Sequence, residues 1–263
     1  MIITRRGPLK IAELWFDEPL QGQRVDIARF LQRTDAIPGA ASQPKHTIII
    51  DLRADEAELF AAIKKDTRGE IRRARDKDEV SCRMWTAPTS QPMREFCEFY
   101  RGFAAQKGLS PIAAAYLRSL RENSALALSQ ACDREGKALV WHSYVCVEGR
   151  ARLLKSASQF RAEQDAATRN AVGRANRFLH WADILAFKQA GCTVYDLGGW
   201  YSGSTDEQLV RINRFKEEFG GRKVVHYNCE LAMTWMGRCA QTLKRWRTLR
   251  IGSRLQAAGD SAG

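Results

Sequence analysis

The sequence predicts an α/β fold, on three observations. Residues 126–158 hold three β-rich segments separated only by short polar turns. From residue 174 the apolar spacing turns helical, then alternates helix, strand, helix, strand to about residue 231. The first half adds helices with clear start and stop residues after one compact β-branched run, His46-Thr-Ile-Ile-Ile-Asp-Leu52.

The elements follow in order. The run at 46–52 reads as a strand. Asp55 can cap the helix after it, which carries Leu59, Ala62 and Ile63 on one face. Thr67-Arg-Gly-Glu70 has the form of a capping box opening a short helix through Lys77. A strand is expected at 80–85. Ser90 and Pro92 open a helix with Met93, Phe96, Tyr100 and Phe103 on its apolar face, and Gly108 ends it. Ser110-Pro111 opens the next, through about Arg121. Strands at 126–132, 138–147 and 151–158 follow, the last two joined by Glu148-Gly149. After a polar loop (160–169) comes a helix over 174–190 with Phe178, Trp181, Ala182 and Leu185 inward and Gly191 as its stop. A short strand at 193–197 runs into Gly198-Gly199. Ser204-Thr-Asp-Glu207 is a second capping box, for a helix bearing Leu209, Ile212, Phe215 and Phe219, and a last strand covers 223–231. Antiparallel strands, a helical crossover and a further strand are what a GNAT-type acyltransferase half requires.

Bulk properties narrow the class. The chain has 263 residues, 44% of them hydrophobic, enough for one large domain or two small ones. No apolar run approaches the roughly 18 residues of a membrane span, and Met1 to Gly7 lead into no apolar signal segment, so a cytoplasmic location is expected. Seven cysteines, odd in number and without a CxxC pair, suggest neither a disulfide framework nor a zinc site, and with four scattered histidines no metal is expected. A net charge of +12 predicts attraction to polyanions: RNA, nucleotide phosphates or anionic lipid.

The densest chemistry lies in Tyr195-Asp-Leu-Gly-Gly199 and Ile212-Asn-Arg-Phe-Lys-Glu-Glu-Phe-Gly-Gly221. A strand ending in two glycines opens space beside its edge. A lysine on the following helix, Lys216, can neutralise a phosphate or polarise a carbonyl oxygen; a solvated lysine on a capped surface helix is the alternative. Tyr195, Gly198 and Gly199 are candidates for the donor side.

This stretch resembles the C-terminal signature of the Fem family of peptidoglycan-bridge aminoacyltransferases, an aromatic-Asp/Gly-Gly strand followed by a helix with Phe-Lys and then Phe-Gly. Thr67-Arg-Gly-Glu-Ile-Arg-Arg-Ala-Arg75 is similar to the family's R-x-x-I-R-K-A segment, and Asn176-Arg-Phe-Leu-His-Trp181 resembles the helix before the signature strand. The three matches keep the family's order over residues 45–230. The resemblance implies two packed GNAT-like halves with a substrate channel between them and acyl transfer to a primary amine. It implies that Lys216 meets the end of the aminoacyl donor and steadies the oxyanion, with Phe215 as its aromatic neighbour. The chain is shorter than well-known members and has no heptad stretch for their helical arm, so the first half is expected to be abridged.

Other segments leave alternatives open. Asn170-x-x-Gly173-x-Ala175 approximates the GNAT pyrophosphate loop, with Arg169, Arg174 and Asn176 beside it; a helix N-terminus there would face phosphate, or the segment is a polar loop into a core helix. Arg68, Arg72 and Arg73 lie in a basic run that either grips an anionic acceptor or forms a solvated face. The tail beyond Met236, rich in arginine with Trp246 and Leu249, can contact tRNA or an anionic membrane surface, or be a solvated helix. His142 and Asp196 are the candidate general bases, though a strand histidine is more often structural.

The combined expectation is an acyl- or aminoacyltransferase without tightly bound cofactor. It would use aminoacyl-tRNA, acyl-coenzyme A or an acyl carrier protein as donor and a cell-envelope precursor as acceptor. The expected division is an acceptor-side half over 1–120, a donor-side half over 121–235 and a basic tail over 236–263. The rivals are an acyl-coenzyme A-dependent N-acyltransferase of surface-polysaccharide synthesis and a non-catalytic RNA- or membrane-binding module.

Overall fold

The computed structural model describes residues 1–159 and 165–243. The chain divides into two compact units, residues 1–44 with 226–263 and residues 45–225. The division thus falls elsewhere than near residue 120, which lies inside a helix.

In the first unit the strand order is β1-β2-β3-β10: β1 (Ile2–Arg6), β2 (Leu9–Trp15), β3 (Ile27–Arg33) and β10 (Arg222–Ala232), which belongs to this unit from His226 onward. β1 and β2 are antiparallel, β2 and β3 parallel, and β3 and β10 antiparallel. Ala12, Leu14, Val25, Ala28, Phe30 and Cys229 form its core. Asp26 ties the loops, accepting from Lys10 N at 2.8 Å and Thr234 Oγ1 at 2.7 Å. The first three strands are absent from the sequence-based expectation. In β2 adjacent residues Ile11 and Ala12 are both buried, as are Leu14 and Trp15, so the period-2 alternation that marks a half-exposed strand is missing.

The second unit carries the order β4-β9-β8-β7-β6-β5: β4 (Ala41–Asp51), β5 (Ser81–Trp85), β6 (Leu126–Cys132), β7 (Ala138–Val147), β8 (Arg150–Ser158) and β9 (Val194–Gly199). β5 to β8 form an antiparallel meander. Glu148 and Gly149 make its tightest turn, both with positive φ (48° and 70°), the geometry that matches strand twist in a two-residue hairpin. A long helix, α5 (Ala166–Gln189), crosses back so that β9 lies parallel to β8. The other helices are α1 (Glu56–Ala62), α2 (Lys65–Asp76), α3 (Ser90–Lys107), α4 (Ala114–Glu122) and α6 (Glu207–Glu217). One core gathers Ile48, Leu52, Leu59, Ile63, Ile184, Phe187, Tyr195, Leu197 and Phe219; a second packs Ala74 of α2 against Val172, Ala175 and Leu179 of α5.

Helix starts separate sound signals from misleading ones. Asp55 caps α1 in a full capping box with Glu58. Thr67, by contrast, sits inside α2 and donates to Glu218 Oε2 at 3.1 Å, so the expected box at 67–70 does not form; Lys64 precedes the helix without a side-chain cap. α6 is capped by Asp206, which accepts from the backbone of Gln208 and Leu209, not by Ser204. α5 starts eight residues earlier than expected, at a cap made by Asp165. The described residues include no helix long and apolar enough to cross a membrane. Most of the basic tail lies outside the described residues.

Candidate active site

The site begins with a sheet that parts. β8 and β9 pair in parallel only over Arg150–Arg152 and Val194–Asp196. Past that point residues of both strands line one cavity: Arg152, Leu153, Leu154, Lys155, Ser156 and Ser158 from β8 and Leu197, Gly198 and Gly199 from β9. Its volume is about 740 Å³. Tyr100 and Phe103 of α3 and Ile212 and Phe215 of α6 supply apolar wall. Five cations line it (Lys107, Arg152, Lys155, Arg211 and Lys216), while no described carboxylate does. Separated strands leave backbone N–H and C=O groups available to a ligand, and the cations favour one that carries negative charge.

Lys216 reaches into this opening. Its Nζ donates to Gly199 O at 2.5 Å. The approach requires Gly198, whose φ is +76°, and where a Cβ would come within 3.0 Å of Leu153 O. α6 is fixed against the strand end by Asn213, which accepts from Tyr201 N at 2.9 Å and donates to Tyr201 O at 2.6 Å. Arg177 places Phe215: it chelates Glu218 at 2.9 and 3.2 Å and lies 5.1 Å from the Phe215 ring centre. Burial, and then the charge of Arg152, push the Lys216 ammonium down to about 8, with Asp196 opposing. At neutral pH it is mostly charged and poorly hydrated, the condition in which a cation acts most strongly on a developing oxyanion.

Asp196, expected as a candidate base, is instead a structural anion. It is fully buried and ion-paired with Arg150 and Arg152. It accepts from Thr47 Oγ1 and from Gly198 N, the latter at 2.8 Å, and Thr47 Oγ1 also bonds Gly198 O at 2.7 Å. Burial raises its pKa, but Arg152, Arg150 and the Thr47 hydroxyl outweigh it, and the carboxyl stays below its ordinary value. Its work is to hold the Gly198 turn.

His142 is likewise no free base. It is wholly buried, with Nδ1 2.8 Å from Asp183 Oδ2 and Nε2 2.9 Å from Asn176 Oδ1, so both nitrogens are engaged. Tyr195, expected to touch the donor, is fully buried and does not line the cavity. Both belong to a buried network: Tyr144 OH donates to Asp183 Oδ2 at 2.6 Å, Ser129 Oγ does so at 2.9 Å, Tyr195 OH lies 2.8 Å from Tyr144 OH, and His180 Nδ1 lies 2.7 Å from Tyr195 OH. His180 lines the cavity and was not singled out from the sequence. Its only signal there was a place in the segment Asn176–Trp181.

Of the other expected residues, Phe215, Gly198, Gly199 and Asn176 line the cavity. Gly173 lines an adjoining pocket of about 210 Å³ with Phe103, Asn176 and Phe215. The pyrophosphate-loop expectation does not match the structure. Residues 170–175 lie within α5, where backbone N–H groups are spent on the helix, and the helix starts at the acidic Asp165. Arg174 forks onto Asp78 at 2.6 and 3.1 Å, and Arg169, also helical, does not line either pocket. Arg68, Arg72 and Arg73 lie on α2 and are absent from the cavity wall; Arg72 covers the Phe60 ring at 5.2 Å beside a separate 370 Å³ pocket.

No family model matches the chain, and no curated protein sequence matches it. Solved structures do. FemX is 12% identical with a TM-score of 0.57, over 70% of this chain and 61% of that one. The DUF2156 domain from Agrobacterium fabrum is 13% identical with a TM-score of 0.53, over 87% and 79%. L-PGS from Bacillus licheniformis is 14% identical with a TM-score of 0.50, over 84% and 72%. The chain therefore spans less than two thirds of the FemX chain. These are likenesses of fold alone, and at that level the expected α/β class holds, as a mixed sheet flanked by helices.

Proposed function

We propose that the protein is an acyl- or aminoacyltransferase, moving an activated acyl group from aminoacyl-tRNA or an acyl thioester to a primary amine of an anionic cell-envelope precursor. The observation that carries this reading is the Lys216 ammonium, half-buried against Gly199 O where β8 and β9 part. An acyl carbonyl laid along the β9 edge would meet that ammonium as negative charge develops on its oxygen. Attack is direct. The partly buried thiols of Cys82 and Cys146 have their pKa raised by desolvation and stay protonated. The five cavity cations would hold the phosphates of donor or acceptor, and positioning with charge stabilisation would supply most of the rate.

A second reading replaces the amine by a hydroxyl of an anionic lipid. The apolar wall of Tyr100, Phe103 and Ile212 beside cations favours it, and the similar DUF2156 domain is from a protein titled a putative lysylphosphatidylglycerol synthetase.

Intact-mass analysis tests both. The protein is incubated with charged tRNA or acyl-coenzyme A and, in separate arms, with peptidoglycan peptide precursors, amino sugars or phosphatidylglycerol vesicles. A mass gain on one acceptor that Lys216→Met abolishes is the expected result. No gain in any arm, or an unchanged gain in Lys216→Met, rejects the reading.

A further inference from the structure

We propose that His180 is the general base and acid of this cavity, its Nε2 kept as a bare lone pair by a one-way chain of hydrogen bonds anchored on Asp183. The proposal rests on the acyl-transfer reading above.

The direction of the chain follows from counting protons. Tyr144 has one hydroxyl hydrogen and gives it to Asp183 Oδ2 at 2.6 Å. At 2.8 Å from Tyr195 OH, Tyr144 can then only accept, so Tyr195 donates. Tyr195 has now used its own hydrogen and must accept at 2.7 Å from His180. The proton on His180 is therefore on Nδ1. Burial first, and the Asp183 charge after it, push both phenols up, so neither breaks the chain by ionising. Nε2 has no hydrogen-bond partner among the described residues, and His180 lines the same cavity as Lys216. Phe215 and Phe219 fix the ring plane, with centroids 5.6 and 5.0 Å away.

The reaction balances as follows. The neutral amine nitrogen attacks the acyl carbon, a C–N bond forms, and the carbonyl π pair moves onto oxygen beside Lys216. His180 Nε2 removes one proton from that nitrogen. The tetrahedral species collapses, the bond to the ester oxygen or thioester sulfur breaks, and His180 returns the proton to that leaving atom. An amide and a neutral alcohol or thiol result, and His180 is again neutral.

The charged and titratable groups around the ring favour this cycle. They are Arg177 on its own helix, Lys216 on α6, His142 (ring centroid 4.3 Å away) on β7, and Tyr195 on β9, with Asp183 three hydrogen bonds distant. Burial, then His142, Lys216 and Arg177, hold the His180 pKa well below its ordinary value. The imidazolium is short-lived and a strong acid, suited to protonating a leaving group. Asp183, Tyr144 and Tyr195 are positioning residues.

Two measurements test this. Nitrogen-15 imidazole NMR on the full chain without substrate should show His180 as the Nδ1–H tautomer at neutral pH; an Nε2–H tautomer or an imidazolium overturns the proposal, whatever the enzyme transfers. In the transfer assay, folded His180→Gln should lose about 10²- to 10⁴-fold in kcat with KM little changed, and imidazole should restore part of the rate to His180→Gly. Wild-type kcat in folded His180→Gln overturns it. Should that variant not fold, Tyr195→Phe decides: it should mix the tautomers and lower kcat, and an unchanged tautomer with unchanged kcat overturns the proposal. If the wild type transfers no acyl group, the transferase reading fails and the base role with it, while the NMR result stands separately.

Discussion

Lys216 and Gly199, 17 residues apart in the chain, meet through an ammonium-to-carbonyl hydrogen bond at the point where two parallel strands separate. The partner is a neutral carbonyl rather than a carboxylate, and two of the three ammonium donors stay available to a ligand.

Lys216→Met should therefore lower kcat by about 10²- to 10³-fold, the usual cost of one oxyanion donor. Steady-state kinetics on the acceptor found by mass analysis check this. Circular dichroism should show the fold intact, since methionine suits the apolar contacts of the lysine stem.

The same lysine sets an alkaline limit. Its charge disappears as pH climbs through about 8, so transfer should fall across that region, while Lys216→Arg, charged throughout, should have no such limb. Stability moves the other way. The ordinary lysine value, 10.5, applies to the unfolded chain, so between about 8 and 10.5 the unfolded state binds more protons and stability from this group rises with pH. Urea midpoints of wild type and Lys216→Met across this range would show it as a pH-dependent difference.

Asp196→Asn should act on folding rather than on proton transfer. Removing one partner of a buried charge cluster costs about 3–5 kcal/mol, here because Arg150 and Arg152 lose their counter-ion. Because the folded pKa lies below the unfolded one, its contribution is complete above the unfolded value and fades as pH falls through the folded value. A denaturation series of wild type and variant should show their gap closing only in acid.

Gly198→Ala should destabilise by about 1–2 kcal/mol from the left-handed backbone alone, with more from crowding Leu153 O. Thermal melts measure the first effect, and a fall in transfer exceeding the loss of folded protein measures the displaced strand end.

The second unit was legible because its helices carry faces and stops that repeat with the right period: Met93, Phe96 and Tyr100 inward, Gly108 in the left-handed cap. The meander was legible from its Glu148-Gly149 turn. β2 was not, since burial on both faces erases alternation; β1 is short and buries only Ile2, and β3 alternates but buries the polar Gln32, so neither stands out by its letters. The start of α5 was hidden because residues 165–173 carry little apolar periodicity, only Val172 among them being large and apolar, and Asp165 caps the helix from a polar stretch. At the site, motif likeness points to Lys216 and the paired glycines, and the structure places Lys216 Nζ against Gly199 O. Asp196 at a strand end and His142 within a strand stand out in the sequence only as titratable types; what such a group does depends on partners distant in the chain, such as Arg150 and Asp183. His180 is hidden for the same reason: its lone pair is defined by Asp183, Tyr144 and Tyr195, on one helix and two strands, and no local spacing encodes that.

The positive side chains around the cavity, with no carboxylate in its wall, have a further effect on what enters. A free polyamine or lysine arrives as a cation and is repelled, whereas an amine tethered to a phosphate-bearing scaffold is drawn in by the scaffold. Once inside, the same field makes the amine easier to deprotonate. Selectivity against the cell's abundant small amines thus needs no steric gate: it is set by the sign of the carrier, and should weaken as added salt screens the entrance.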